Sequence, residues 1–418
     1  MASSPSLCAQ SSEQQGLLQP PTHNQQSNAS RLRTAAGWIM VGGVCTLLGT
    51  LAAVAAAAHS TQNTPKTSTI KNTKSEPLAC PFQHSTMEQH PDLTFFVVGD
   101  WGREDNEYQR NVGERMGMLA DCYHPSFVVT TGDNFYEHGL RSLDDPLFSK
   151  CFTDVYSAEG LQVPWYAVLG NHDYADGSKN GILEEGEYSP RWQVTNGPGS
   201  LAAEGTNIAS RDPRWNLRQG AWRMSFASGL LDIIFIDTTP LHDKYYGHEW
   251  TNAPGGVGSQ NVTEQMETMQ ALLKTSTAHF KIVIGHHPCF SYGSHCNFNQ
   301  TDGDCATMSS LLQPIFEQYQ VDVYFAGHDH NLQFIDKSQE GNPDAANVYH
   351  VVSGAGSNVR TGAQDKIPAE LLASGKAWMW ESPGFAAVSI KDNSLSVDFW
   401  DVTQRSSVQS VNKQTARR

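Results

Sequence analysis

The sequence predicts an α/β domain preceded by one membrane-spanning N-terminal helix. Two patterns carry this. Five short apolar runs, rich in β-branched and aromatic residues, each end on a glycine followed by a side chain able to bind a metal, with helical periodicity between several of them. Near the N-terminus, 24 consecutive residues, 35–58, carry no charge.

Residues 1–34 are polar and rich in Ser, Gln and Asn, with too few apolar groups to form a core, so a disordered cytosolic head is expected. Within it, Glu13-Gln14-Gln15-Gly16-Leu17-Leu18 resembles an acidic dileucine signal. Glu13, Leu17 and Leu18 would then bind clathrin adaptors and direct the chain to endosomes or lysosomes. Residues 35–58 follow as a signal anchor: at 1.5 Å per residue they would span about 36 Å, against a hydrocarbon core of about 30 Å. Arg31 and Arg33 precede this stretch, and the positive-inside rule gives a type II orientation with the domain lumenal or extracellular. Ala56-Ala57-Ala58 also fits a cleavage site, which would release a secreted protein instead. Residues 59–91 read as a polar tether.

From 92 to 405, strand and helix signals alternate. Residues 95–98, 127–131, 166–169, 282–284 and 321–326 read as buried strands. They lead into Gly99-Asp100-Trp101-Gly102, Gly132-Asp133-Asn134-Phe135-Tyr136, Gly170-Asn171-His172-Asp173, Gly285-His286-His287-Pro288 and Gly327-His328-Asp329-His330. Residues 105–122, 144–156, 262–273 and 306–319 read as helices, and 231–236, 348–352, 386–390 and 395–400 as further strands. The Gly-rich stretches 175–219 and 242–260 read as loops at the rim, and 406–418 as a basic tail.

A lone Gly-Asp after a strand is usually a turn, and a lone Asn-His usually a surface pair. Five such blocks in one chain change the weighing. Open α/β sheets bind ligands beyond the carboxyl ends of their strands. Five strands would therefore deliver carboxylate, phenol, amide and imidazole to one rim, as a two-metal site requires. Asp133 can bridge two cations, and Tyr136 adds a phenolate, a hard donor that favours Fe(III). In these residues, and in Val163-Pro164-Trp165-Tyr166-Ala167-Val168-Leu169-Gly170-Asn171-His172-Asp173, Gly327-His328-Asp329-His330-Asn331-Leu332-Gln333 and Ser353-Gly354-Ala355-Gly356, the chain resembles the purple acid phosphatases. The resemblance is to the small, single-domain, tartrate-resistant kind, and covers residues 92 to 405.

That resemblance implies a metallophosphoesterase-like α+β sandwich, two mixed β-sheets packed face to face with helices outside. It implies an Fe(III) site of Asp100, Asp133, Tyr136 and His330, and a divalent site (Fe(II), Zn or Mn) of Asp133, Asn171, His286 and His328. Asp133 would bridge them, holding the metals about 3.5 Å apart. His172 and His295 would be catalytic groups outside the ligand sphere. His287 departs from the pattern, since mammalian-type relatives usually carry tyrosine there. The activity implied is hydrolysis of phosphate monoesters at acidic pH. On that resemblance the cations would clamp the ester and lower the pKa of a bound water, hydroxide would attack phosphorus in line, and His172 or His295 would protonate the leaving group. Two other readings stay open: a membrane-anchored scaffold or receptor that uses the domain for binding, and a phosphodiesterase of the same superfamily, which Tyr136 disfavours.

Composition fits an exported domain. The 418 residues leave room for one large domain plus appendages. The net charge of −15 arises beyond residue 90, because the preceding segments hold five cationic and three acidic side chains, so nucleic acid is disfavoured as a partner. Six of the eight cysteines (Cys80, Cys122, Cys151, Cys289, Cys296 and Cys305) follow the apolar stretch, an even number suited to an oxidising compartment. Among the possible pairings, Cys296 with Cys305 would staple the His295 loop, and Cys122 with Cys151 would flank the Asp133 loop; sequence chooses neither. Asn261-Val262-Thr263 and Asn299-Gln300-Thr301 are glycosylation sequons, and Asn28-Ala29-Ser30 should stay bare if the head is cytosolic.

Overall fold

The computed structural model describes residues 90–176, 188–195, 207–252, 254–300, 302–338 and 347–415. Its strands are β1 (Leu93–Val98), β2 (Val128–Thr130), β3 (Trp165–Ala167), β4 (Trp215–Leu217), β5 (Trp222–Phe226), β6 (Leu231–Phe235), β7 (Phe280–Ile284), β8 (Val323–Ala326), β9 (Leu332–Asp336), β10 (Tyr349–Ser353), β11 (Ala377–Trp380), β12 (Gly384–Lys391), β13 (Ser394–Asp401) and β14 (Gln409–Gln414). The helices are α1 (Glu107–Tyr123), α2 (Pro146–Phe148), α3 (Val262–Thr275), α4 (Asp304–Gln318) and α5 (Ala369–Ala373).

The strands form two seven-stranded mixed sheets, ordered β14-β13-β12-β1-β2-β3-β4 and β11-β9-β10-β8-β7-β6-β5. β1 to β4 run parallel to one another, as do β6, β7, β8 and β10. The carboxyl ends of the parallel strands in each sheet therefore lie along one edge.

Period-two alternation decides which side chain enters which layer. Phe95 and Val97 of β1 join Ile282 and Ile284 of β7 in a core between the sheets. Phe96 and Val98 instead meet Val112, Met116 and Leu119 of α1 on the outer side. Val283 turns the other way from its neighbours, toward Met269 and Leu273 of α3 and Met308, Leu312 and Phe316 of α4. Each fully buried Val, Ile or Phe of this kind contributes roughly 1.5–3 kcal/mol. α1 begins where the Asn106 side chain accepts from the Gln109 amide at 2.9 Å, and ends at His124, whose left-handed backbone returns its N–H to the Ala120 carbonyl.

Several expectations change. The helix expected over 144–156 is α2 continued by a wider π turn, Ser149–Thr153. The segment expected as a basic tail contains β14, which pairs antiparallel with β13, so the sheet extends beyond residue 405. Its sequence, Gln-Ser-Val-Asn-Lys-Gln, is that of a polar edge strand with one aliphatic residue, and carries no hydrophobic alternation to read. β4, only three residues long, lies inside the stretch read as loop.

Cys296 is bonded to Cys305. Cys122 is also disulfide-bonded, but Cys151 and Cys289 are buried thiols, so Cys122 does not pair with Cys151. Among the described residues no helix is long and apolar enough to cross a membrane. The expected anchor 35–58, the head with Glu13, Leu17, Leu18 and Asn28, and Cys80 lie outside the described residues.

Candidate metal centre

The candidate ligands follow the ends of three parallel strands of one sheet and two of the other. Asp100 comes after β1, Asp133 and Tyr136 after β2, Asn171 after β3, His286 after β7, and His328 and His330 after β8. Asp100, Asp133 and His328 adopt positive φ values of 58°, 50° and 67°. L-residues pay for that conformation, and such strain concentrates where a side chain must be aimed. Two glycines make room. Gly132 has φ 91°, and a Cβ on Gly170 would lie 2.2 Å from Asp133 Oδ1.

Two groups of donors result. In the first, the Tyr136 hydroxyl lies 2.8 Å from Asp133 Oδ2, 3.1 Å from Asp100 Oδ1 and 3.2 Å from His330 Nε2. Its single proton faces more acceptors than it can satisfy. Burial pushes the Tyr136 phenol well up, with the Asp100 and Asp133 charges adding to it. Burial likewise raises the Asp100 carboxyl. For Asp133 burial also acts upward, but His286, His172 and the Tyr136 donor outweigh it and hold the carboxylate low.

In the second group the outer partners fix the tautomers. His286 Nδ1 lies 2.8 Å from the Thr131 carbonyl oxygen, which can only accept, so the neutral ring carries its proton there and leaves Nε2 bare. His328 Nε2 lies 2.8 Å from the Asp304 carboxylate, leaving Nδ1 bare. The two bare nitrogens face each other at 3.1 Å. Asn171 Nδ2 donates to Asp176 at 2.9 Å, which turns its Oδ1 inward to 3.0 Å from His286 Nε2. Asp133 Oδ1 closes the group at 3.4 Å. Converging lone pairs with no proton between them repel, so the arrangement is complementary to a cation, and this nitrogen and oxygen set suits a first-row divalent ion.

His172 and His295 stand at the rim. The His172 amide donates to Asp133 Oδ1 at 2.9 Å, its Nδ1 donates to the Glu137 carbonyl at 2.7 Å, and its ring lies 4.5 Å from that of Tyr136. Burial would lower its pKa, but Asp133, the Glu137 carbonyl and Asp176 outweigh burial and raise it. His295 stacks on His328 at 3.8 Å, donates from Nδ1 to Asp329 at 3.0 Å, and accepts at Nε2 from Arg360 at 2.8 Å. His287 is fully buried, with Nδ1 2.8 Å from Thr238 Oγ1 and Nε2 2.8 Å from the Tyr245 hydroxyl. Both nitrogens are engaged, so it forms a wall behind the site.

The calcineurin-like phosphoesterase family profile matches residues 93–332, which include every candidate ligand. Purple acid phosphatase 4 of Arabidopsis thaliana is 33% identical over 326 residues, covering 76% of this chain and 83% of that one. The chain belongs to the purple acid phosphatases, within the calcineurin-like phosphoesterases. The tartrate-resistant acid phosphatase type 5 of Oryctolagus cuniculus is 27% identical, over 76% of this chain and 89% of its own. Among solved structures, GAP50, the anchor in the inner membrane complex of Plasmodium, superposes with a TM-score of 0.55 at 21% identity, covering 77% of this chain and 89% of that one. This last is a likeness of fold.

Three carboxylates and an arginine of this purple acid phosphatase domain went unassigned in the sequence reading. Asp173 accepts from the amides of Gly170 at 2.8 Å, Asn134 at 3.0 Å and Phe135 at 3.2 Å, and from Gln193 Nε2 at 2.9 Å, clasping the Asp133 and Asn171 loops together. Asp329 holds the His295 ring and Asp304 the His328 ring, while Arg360 covers His295. Asp173 and Asp329 sit inside blocks already singled out, and that position was their signal. Asp304 and Arg360 had none.

Proposed function

We propose that this chain is an acid phosphatase for phosphate monoesters with a dinuclear centre. Fe(III) is held by Asp100, Asp133, Tyr136 and His330, and Fe(II), Zn or Mn by Asp133, Asn171, His286 and His328. The observation that supports this most is the convergence of His286 Nε2 on His328 Nδ1 at 3.1 Å and on the Asn171 amide oxygen at 3.0 Å. Bound there, the cations supply positive charge for the phosphate oxygens and acidity to a water molecule.

The chain's own groups complete the chemistry. With Nδ1–H tied to the Glu137 carbonyl, His172 has Nε2 to carry a transferable proton, and the surrounding acceptors favour its charged form. It is the better donor to the leaving oxygen. His295 Nε2 already accepts from Arg360, so it aims that guanidinium, whose remaining N–H groups and charge can serve a phosphate oxygen.

The test is metal content, the visible spectrum and turnover measured on one preparation. A tyrosinate-to-Fe(III) band together with hydrolysis of p-nitrophenyl phosphate, and little of its diester, is the expected result. A colourless, metal-free, inactive protein would sink the proposal in favour of a scaffold. Preferred hydrolysis of the diester would point to a phosphodiesterase.

The proposal extends to topology: residues 35–58 anchor the chain as type II, and Glu13, Leu17 and Leu18 form an adaptor signal. The uncharged length and Arg31 and Arg33 support it. Asn261 and Asn299 are exposed, and glycan mapping should find them modified and Asn28 bare. A glycan on Asn28, or a mature N-terminus near His59, would overturn the orientation.

A further inference from the structure

We infer that Asp304 is a positioning residue of the divalent site, presenting His328 in the one tautomer that can bind there, and that the Cys296–Cys305 disulfide fastens it in place. The inference rests on the dinuclear reading above and concerns a side chain outside the ligand set.

An imidazole can carry its single proton on either nitrogen. His328 serves the site only if Nδ1 is bare, and a carboxylate 2.8 Å from Nε2 enforces that. Such a partner also makes the inward nitrogen a stronger donor. The two histidines of the site differ here. His286 is oriented by the Thr131 carbonyl, just past the end of β2, whereas the partner of His328 is a side chain on the first residue of α4. A side chain at a helix terminus holds its aim only if that terminus is held in place.

Asp304 opens α4 and is followed by Cys305, whose sulfur is joined to Cys296. Both cysteines are buried. Cys296 in turn follows His295, whose ring stacks on His328. One covalent closure thus holds the group at the edge of the His328 ring and the group on its face. Lys244 Nζ approaches the same Asp304 oxygen at 2.6 Å. A competing account makes Asp304 an ordinary surface ion-pair partner of Lys244. Asp304 is 13% exposed and Lys244 45%, so the carboxylate belongs to the site side of that contact.

The test compares Asp304→Ala, the near-isosteric Asp304→Asn and Lys244→Ala in the full chain, reading Zn(II) affinity against a chromophoric chelator and the visible band of the ferric site. Asp304→Ala should weaken Zn(II) binding about 10- to 100-fold. Asp304→Asn, which still accepts from Nε2, should lose less, and Lys244→Ala should bind as the parent does. The visible band should persist throughout, because His328 is not a ferric ligand. Parent-like Zn(II) affinity in both Asp304 variants would overturn the inference. So would an equal loss in Lys244→Ala, or loss of the band from Asp304→Asn. If the unaltered chain takes up no second metal, the dinuclear reading fails instead.

Discussion

One oxygen atom at Tyr136 separates two outcomes. Tyr136→Phe removes the hydroxyl shared by Asp100, Asp133 and His330 but keeps the ring on which the Arg103 guanidinium lies, 3.5 Å from the centroid. The variant should fold and lose its visible band, and a band of full strength would reassign the ligand. His172 and His295 should separate by leaving group. His172→Ala should slow hydrolysis of alkyl phosphates roughly 10²- to 10⁴-fold and of p-nitrophenyl phosphate far less, since only the poor leaving group needs the proton. His295→Ala should act mainly through KM. Equal losses on both esters in His172→Ala would remove its acid role.

Between elements, the centre depends on the buried carboxylate of Asp173, which accepts from two ligand loops at once. Asp173→Asn would set an NH2 group against amide donors. Burial raises the Asp173 carboxyl to about 7; above that pH, where it is charged, each hydrogen bond to it contributes roughly 1.5–3 kcal/mol, so there the variant should be about 3 kcal/mol less stable in denaturant unfolding and bind metal poorly. Unchanged stability would mean that the loops are held by other contacts. The strands that end in ligands were legible because local signals coincide there: an apolar run, a glycine and a metal-binding side chain within a few residues. Asp304 was not, because its contact with His328 exists only after α4, β8 and a disulfide have brought together residues 24 apart. β14 escaped for a related reason: it is a strand by virtue of β13, and its own composition is that of a loop.

For the molecule as a whole, acidic working conditions conflict with a buried histidine remote from the candidate ligands. His350 of β10 packs among Phe290 and Tyr324, with Nε2 2.9 Å from the Gln313 side chain of α4 and, among the described residues, no partner for Nδ1. Burial, with Lys337 and Lys413 adding to it, depresses its pKa from the ordinary 6.5 to about 3. The folded chain then takes this proton only below about 3, while the unfolded chain takes it below 6.5. Between those values the unfolded state binds more protons, so the stabilisation from a neutral His350 is complete above 6.5 and is lost as pH falls toward 3. The slope approaches about 1.4 kcal/mol per pH unit within that window. His350→Gln keeps an amide that can donate to Gln313 and removes the titration. Its urea-unfolding free energy should equal or fall below the parent's at neutral pH and exceed it near the acid end, so the two pH curves cross. Curves that stay parallel through the window would mean that His350 already takes its proton in the folded state and that acid sensitivity arises elsewhere.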